Sequence, residues 1–494
     1  MIAIATIWLA AAAAESERPL SLFEAIECAL RHDLDLEIAR FEPRIVEQEI
    51  VSAWGAFDLV ARASASSRDT RQPTASALVT GTGAPLEQQA IDYALGLRQT
   101  FPLGLSYDWS VTAGRTATNS TFALLDPRWD TAMTLAVSMP LLRGNARQLN
   151  APLLLARRRY EASLRDFETA VADAVVRVET AYWTLHARQQ EVRVREQSLE
   201  IARGVASYFR NRANAGLEPE LQAVRAEADV AAREEALIAA RNSREDAADE
   251  LLRLVDPDAL RRGEQVQFRL LDAPAEAPED VRADDLLATK AEAARVLRSE
   301  LASLRLQEEA QRASLEQARM AALPKLDLTA SATAFGLDGK IDESFGVLLG
   351  DDFRDLQVGI ALEIPWGNFT GRANRRRAEL ELERLAVRRR RLEDEVLLEI
   401  RRSVRALVTA EERIRAAETA AELARREYEA AVARREEGAA SALDELQALD
   451  ALETARLNLI QARVNYQIAR AQLLRASGEL LQDRGIVVEE QLEP

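Results

Sequence analysis

Apolar residues along this chain follow two periods. In four stretches they alternate with small or polar residues. Tyr93, Leu95, Leu97 and Phe101 alternate with Ala94, Gly96, Arg98 and Thr100; Leu105, Tyr107, Trp109 and Val111 with Ser106, Asp108, Ser110 and Thr112. Met133, Leu135, Val137 and Met139 alternate with Ala132, Thr134, Ala136 and Ser138; Leu356, Val358, Ile360, Leu362 and Ile364 with Gln357, Gly359, Ala361 and Glu363. A period of two sends successive side chains to opposite faces, so each stretch predicts a strand of about ten residues with one apolar face. Elsewhere the steps are three and four. Leu407, Ala410, Ile414, Ala417, Ala421, Ala424, Tyr428 and Ala431 form one such seam, and Leu452, Ala455, Leu459, Ala462, Tyr466, Ala469 and Leu473 another. These are coiled-coil seams, rich in alanine, which lets helices approach closely. Between Gly371 and Gly438 there is neither proline nor glycine, which at 1.5 Å per residue predicts roughly 100 Å of helix. An earlier hairpin climbs through Val171, Val175, Val178, Tyr182 and Leu185, turns at Ala215-Gly216 and returns from Leu221.

The pattern occurs twice. Pro140 and Pro365 each close a strand ahead of a long helix, and Leu221-Gln222-Ala223 and Leu446-Gln447-Ala448 each follow a glycine turn. Both pairs are 225 residues apart (365 − 140 and 446 − 221). One offset at two landmarks predicts a duplicated unit. Repeat 1 is expected over 20–255, with strands within 57–140 and a helical hairpin over 144–255. A linker covers 256–284. Repeat 2 covers 285–480, with strands within 325–364 and a hairpin over 371–480, and a tail follows at 481–494.

Composition narrows the class. Of the 494 residues, aromatics make up 5% and charged residues 29%, with a net charge of -17. The acidic balance argues against a nucleic-acid partner. The single cysteine, Cys28, excludes an intrachain disulfide and is expected to be a small buried helix residue. The two histidines, His32 and His186, lack convergent partners, and there is no phosphate-binding glycine loop or serine elbow. No enzyme, metal site or cofactor is expected. Residues 1–14 are apolar and end in alanines, as in a secretory signal peptide, and no later run is long and apolar enough for a membrane helix. An exported chain of this kind is secreted, periplasmic or an outer-membrane barrel.

The strands favour the barrel. A half-buried sheet in a soluble domain alternates in the same way, but these strands are flanked by helices too long for an ordinary domain core. A lipid-exposed sheet cannot keep open edges, and a small barrel needs about eight strands. One chain offers four to six, so several chains must close one barrel by cyclic symmetry. Six strands are expected over Phe57–Ser66, Tyr93–Phe101, Leu105–Thr112, Asp130–Met139, Lys325–Ala334 and Asp355–Ile364. The alternative is that residues 93–112 form a hairpin outside the wall.

Leu20-Ser21-Leu22-Phe23-Glu24-Ala25-Ile26, Met139-Pro140-Leu141-Leu142-Arg143-Gly144, Ile364-Pro365-Trp366-Gly367 and Glu437-Gly438 followed by Leu443-Asp444-Glu445-Leu446-Gln447-Ala448 resemble, in order and spacing, the TolC-like outer-membrane efflux protein family. The resemblance covers about 20–480. It implies an α+β membrane protein: a homotrimer with an outer-membrane β-barrel continued by a helical coiled-coil tunnel into the periplasm of a Gram-negative bacterium. It implies an exit duct of a tripartite efflux or type I secretion system. The partners would be a periplasmic adaptor protein, an inner-membrane transporter (RND, ABC or similar) and outer-membrane lipid. Well-known members use four strands per chain, twelve in the trimer; six would give eighteen.

The resemblance also implies functional positions. Asp444 and Gln447 stand where members place two entrance aspartates, and Glu220 aligns with a carboxylate at the other tip. Asp444 and Glu220 also read as first-turn helix acids. The arginine that some members place two residues after the turn glycine is Ala440 here. Gly216, Leu217, Gly438 and Ala439 mark the hairpin tips expected to dock the adaptor, and Pro140 and Pro365 the strand–helix junctions. Arg143 and Arg372, the arginines nearest the strand ends, are expected to meet lipid phosphates at the periplasmic leaflet. A periplasmic adaptor, with one hairpin and no lipid-facing strands, and a structural coiled-coil protein are the competing readings.

Overall fold

The computed structural model describes residues 18–274, 283–350, 352–437 and 441–488. The expected signal peptide, part of the linker, the end of the tail, Gly438 and Ala439 lie outside them. In chain order the elements are β1 (Arg18–Leu20), α1 (Leu22–His32), α2 (Leu34–Trp54), β2 (Val60–Gln72), α3 (Ala77–Thr80), β3 (Leu86–Thr100), β4 (Ser106–Thr118), β5 (Arg128–Pro140), α4 (Ala146–Asn214), α5 (Glu220–Val255), α6 (Pro257–Arg261) and β6 (Phe268–Leu270). There follow α7 (Ala283–Leu297), α8 (Ser299–Ala321), β7 (Lys325–Asp338), α9 (Ile341–Leu349), β8 (Arg354–Glu363), α10 (Phe369–Glu436), α11 (Ala442–Ser477) and α12 (Leu480–Asp483). The chain divides into two compact units, Arg44–Ala162 with Leu304–Arg388, and Met1–Pro43 with Ser163–Ser303 and Arg389–Pro494.

The first unit holds one antiparallel sheet in the order β2-β3-β4-β5-β7-β8. All six expected segments are strands of it, and residues 93–112 are hydrogen-bonded within the sheet on both sides. The register separates two chemistries. Leu97, Trp109, Leu135, Ala332 and Leu356 form one row across five strands, and Gln99, Tyr107, Val137, Ala330 and Val358 the neighbouring row of the same face. The opposite face carries Arg98, Asp108, Ala136, Ser331 and Gln357, then Gly96, Ser110, Thr134, Thr333 and Asp355. On that polar face Arg62 pairs with Asp108 at 2.5 Å, and the Thr134 and Thr333 hydroxyls are 3.1 Å apart.

Most strands are longer than their alternation indicates, and they extend at the end away from the long helices. β2 runs to Gln72 and β4 to Thr118, and β3 begins at Leu86. There charged residues such as Asp69, Arg71, Glu87 and Arg115 replace the apolar set, while ladder bonds continue. Helix α9, in the β7–β8 loop, lies on the apolar face. A Cβ added at Gly336 would meet the Ser344 carbonyl oxygen at 2.0 Å, and the Thr131 and Ser344 hydroxyls are 2.8 Å apart. Gly336 is opposite Thr131 in the register, so a small residue there is what admits the helix.

At the other end of the sheet the turn 101–105 closes tightly. Gly104 adopts φ +91, its N–H donates to the Phe101 carbonyl at 2.8 Å, and the Asn150 side chain of α4 donates to the Pro102 carbonyl at 2.8 Å. Pro140 is the last residue of β5, but α4 starts only at Ala146, after a turn with Gly144 at φ +89. Likewise Pro365 follows β8 by two residues, and Gly367 and Asn368, both at positive φ, precede α10. The prolines end ladders, and the glycines turn the chain into the helices.

The second unit is helical, with a two-stranded parallel sheet of β1 and β6. Its core gathers Ile26 from α1, Val178, Tyr182 and Leu185 from α4, Leu251 and Leu254 from α5, and Leu480. Helix α1 starts with the expected capping box, Ser21 and Glu24 each bonding the other's backbone N–H. The α10–α11 seam buries Ala410, Ile414, Ala462 and Tyr466, then Ala424, Leu452 and Ala455. Cys28 is half-buried rather than enclosed, packing at the margin of the core. The His32 Nδ1–H donates to the Cys28 carbonyl at 3.0 Å, and His186 stands edge-on to Trp183, its protonation opposed by burial.

Candidate entrance tips and channel wall

The two hairpin tips belong to the helical unit. At the first, α4 ends in a Schellman turn: the Leu217 N–H donates to the Arg212 carbonyl and the Gly216 N–H to Ala213, both at 2.9 Å. Gly216 has φ +72 and open space around a hypothetical Cβ, so backbone conformation alone calls for glycine. Pro219 then caps α5, which begins at Glu220. Beyond the turn Leu217, Leu221 and Val224 form an exposed apolar stripe, with Leu217 65% exposed.

At the second tip, Ser441 caps α11 in a box with Asp444. The Ser441 N–H donates to the Asp444 carboxylate at 2.9 Å, and the Asp444 N–H to the Ser441 hydroxyl at 3.3 Å. The backbone bond from Ser441 and then its hydroxyl hold the Asp444 carboxyl below the usual range. Asp444, Gln447 and Glu220 are all exposed, and among the described residues no hydrogen bond or ion pair joins them.

The groups that do converge lie one position away from those the sequence singles out. Glu445 is 1% exposed; one carboxylate oxygen is 3.0 Å from Arg435, and the other has no hydrogen-bond partner. The Arg435 guanidinium also lies 5.3 Å from the centre of the Tyr208 ring, which Arg212 approaches at 5.6 Å. Around them Val205 and Phe209 of α4, Ala226 of α5 and Ala442, Leu446 and Leu449 of α11 form a small core, with Tyr428 of α10 packed against it. Two turns further along α11, Glu453 accepts from Ser198 and Arg233, each at 2.6 Å, and Arg195 stands at 3.3 Å. Arg233, 8% exposed, also bonds Asp229 at 2.6 Å. This buried network joins α4, α5 and α11. The signal was in the seam: Glu453 lies seven residues after Leu446 and Glu445 three after Ala442, so both carboxylates occupy core positions of the heptad.

Burial pushes the Glu445 carboxyl up, with Glu436 adding to it and Arg435 opposing; burial and then Glu445 push Tyr428 up. A carboxyl raised in the folded tip binds protons more readily there than when exposed. Its contribution to the tip's stability is therefore full below the ordinary value near 4.5 and lost as pH rises through the raised value. Asp444 acts in the opposite sense and in a lower window, below 3.8. Protection of the Leu446 and Leu449 amides against hydrogen exchange, corrected for intrinsic rates, should thus increase as pH falls toward 4.5. Glu445→Gln should flatten this dependence. An unchanged pH profile in the variant would mean that another group titrates.

The sheet offers a second functional surface. Aromatic residues crowd its end nearest the long helices: Trp54 and Phe57 in edge contact at 5.7 Å, Phe101 and Tyr107 at 5.9 Å, and Trp366 and Phe369, which are exposed. Arg372 stands 5.0 Å from the Phe369 ring and donates to the Gly367 carbonyl, while Arg143 is 3.4 Å from Glu363. No helix among the described residues is long and apolar enough to cross a membrane. A sheet with one apolar face bordered by aromatics is the arrangement of an outer-membrane wall.

The model of the outer membrane efflux protein family matches residues 103–255 and 291–479, well over half of the 494 residues. The chain belongs to that family. It is a family of outer-membrane transport channels and not of enzymes, and the outer membrane is where this efflux protein resides. Strands β2 and β3 precede the first matched segment. The fold is similar to that of the outer-membrane channel OprN, with a TM-score of 0.67 at 18% identity, covering 93% of this chain and 90% of that one. It is also similar to the Campylobacter jejuni CmeC outer membrane channel, at 0.66 and 17%, covering 93% and 86%. The outer membrane protein VceC of Vibrio cholerae gives 0.65 and 17%, covering 92% and 96%. Curated proteins yield no match to the sequence.

Proposed function

We propose that this efflux protein is the exit duct of a tripartite efflux or type I secretion system, passively conducting what an inner-membrane transporter delivers. The observation that carries the reading is the two-faced sheet with free edges at β2 and β8. Unpaired edges are not tolerated in lipid. Because the sheet has six antiparallel strands, an even number, its two edges run in opposite directions, and β8 of one copy can pair with β2 of the next around a threefold axis. Three sheets then close an 18-stranded barrel with the apolar face in lipid and Arg62, Asp108 and the threonines in the lumen. The helical hairpins form the periplasmic tunnel. Its tips at Gly216 and Gly438 dock a periplasmic adaptor, with Leu217 and Ala439 beside the glycines and Leu221 extending the apolar surface. A free-standing adaptor or a structural coiled coil would leave the sheet without a purpose.

Acids at the tips and a net charge of -17 per chain favour cations in the passage. Trimers purified from outer membranes should open cation-selective channels in planar bilayers. Replacing Asp444 and Glu220 by alanine should lower that selectivity and weaken block by divalent cations. A soluble monomer on fractionation and crosslinking would sink the duct; unchanged single-channel behaviour would remove these two residues from the gate.

A further inference from the structure

The apolar face of the sheet carries an arginine with no partner among the described residues. Along β4 this face presents Tyr107, Trp109, Val111, Ala113 and Arg115. Arg115 lies between Ile91 of β3 and Trp129 of β5, both on the same face. It is half-buried, and among the described residues it makes neither an ion pair nor a side-chain hydrogen bond. Arg71, further along this face, is instead paired with Glu87 at 2.6 Å. A guanidinium facing hydrocarbon is unfavourable, and one at the rim is not. Arg115 is nine positions beyond Ser106 (115 − 106), where β4 leaves its tight turn. On a strand tilted by some 40° that is a height of roughly 23 Å, close to the ~25 Å of a barrel's apolar band. The charge thus stands at the far rim, where headgroups begin, with an indole beside it of the kind that settles at that level.

We propose that Arg115, with Trp129 beside it, is a binding site on the outer wall for a phosphate group of the outer leaflet's anionic glycolipid. Guanidinium is suited to phosphate because its planar N–H groups can donate two parallel charge-assisted bonds. The site rests on the proposed wall, with this face in lipid.

The test uses full-length trimers, delipidated in detergent, and follows the midpoint of thermal dissociation. Bisphosphorylated lipid A should raise the midpoint of the native protein, whereas dephosphorylated lipid A and inorganic phosphate should not. Arg115→Gln should lose at least half of that shift, and Arg115→Lys, which keeps the charge but not the paired donors, should fall between Arg115→Gln and the native protein. Arg98→Gln, on the polar face, should keep all of it. An undiminished shift in Arg115→Gln, an equal shift with dephosphorylated lipid, or no shift in the native protein would overturn the site. A fluorophore on Val111→Cys in a Cys28→Ser background, reconstituted with brominated lipid, separates the two levels. Absent quenching refutes the wall itself, while quenching together with an undiminished shift in Arg115→Gln refutes only the phosphate site.

Discussion

Arg233→Ala is expected to open the contact between α4, α5 and α11. It would leave Glu453 buried with Ser198 and the more distant Arg195 as its remaining partners. Removing one member of a buried ion pair costs about 3–5 kcal/mol, because the remaining charge is stranded. Local opening should therefore become roughly two to three and a half decades more frequent, at about 1.4 kcal/mol per decade. Hydrogen exchange of amides in 195–205, 226–237 and 446–456 reads this directly, and the sheet's amides serve as an internal control. The double variant Arg233→Met with Glu453→Leu should recover most of the protection, since an apolar pair of similar volume avoids both desolvation costs. Exchange at the native rate in Arg233→Ala would show that the apolar seam alone holds the three helices.

Excising Leu86–Thr118 should narrow the proposed barrel without destroying it. Those residues are β3 and β4 with the turn between them, so β2 and β5 become neighbours that still run antiparallel. A trimer of such chains has twelve strands in place of eighteen, and barrel diameter grows nearly linearly with strand number. The size limit for neutral polymers entering from the barrel side should fall by about one third. An unchanged limit, with trimers intact, would place this hairpin outside the wall. In the full chain, a cysteine at Leu103 should be shielded from impermeant thiol reagents on intact cells, because its turn is bonded to the start of α4.

Strand existence and faces were legible because alternation sends apolar residues to one side of the sheet and small or polar ones to the other. Their far ends were not: past Ser66 and Thr112 the chain keeps its ladder bonds but loses the apolar residues that advertise them. The same reason hid α9, whose seat is made of Gly336 and Thr131, unremarkable until register sets them opposite each other. At the tips, resemblance pointed to Asp444, whose carboxylate caps its own helix. Glu445 and Glu453 went unnoticed because polar residues at core heptad positions show their partners only once three helices are assembled. The glycine turn at Gly216 was legible from residue type alone, since few other residues hold a positive φ.

The free edges of β2 and β8 bear on inheritance as well as on architecture. A lone chain leaves a row of backbone N–H and C=O groups unbonded on each side of its sheet. It therefore has no stable resting state in lipid, and its stability cannot be separated from the concentration of its copies. In the proposed trimer every chain supplies both edges, β2 and β8, so one chain with a spoiled β2 breaks a ring otherwise made of sound ones. In a cell making both kinds equally, only about one eighth of rings would be wholly intact. An edge defect would behave as a dominant allele, whereas a defect confined to a helix tip would leave the ring closed.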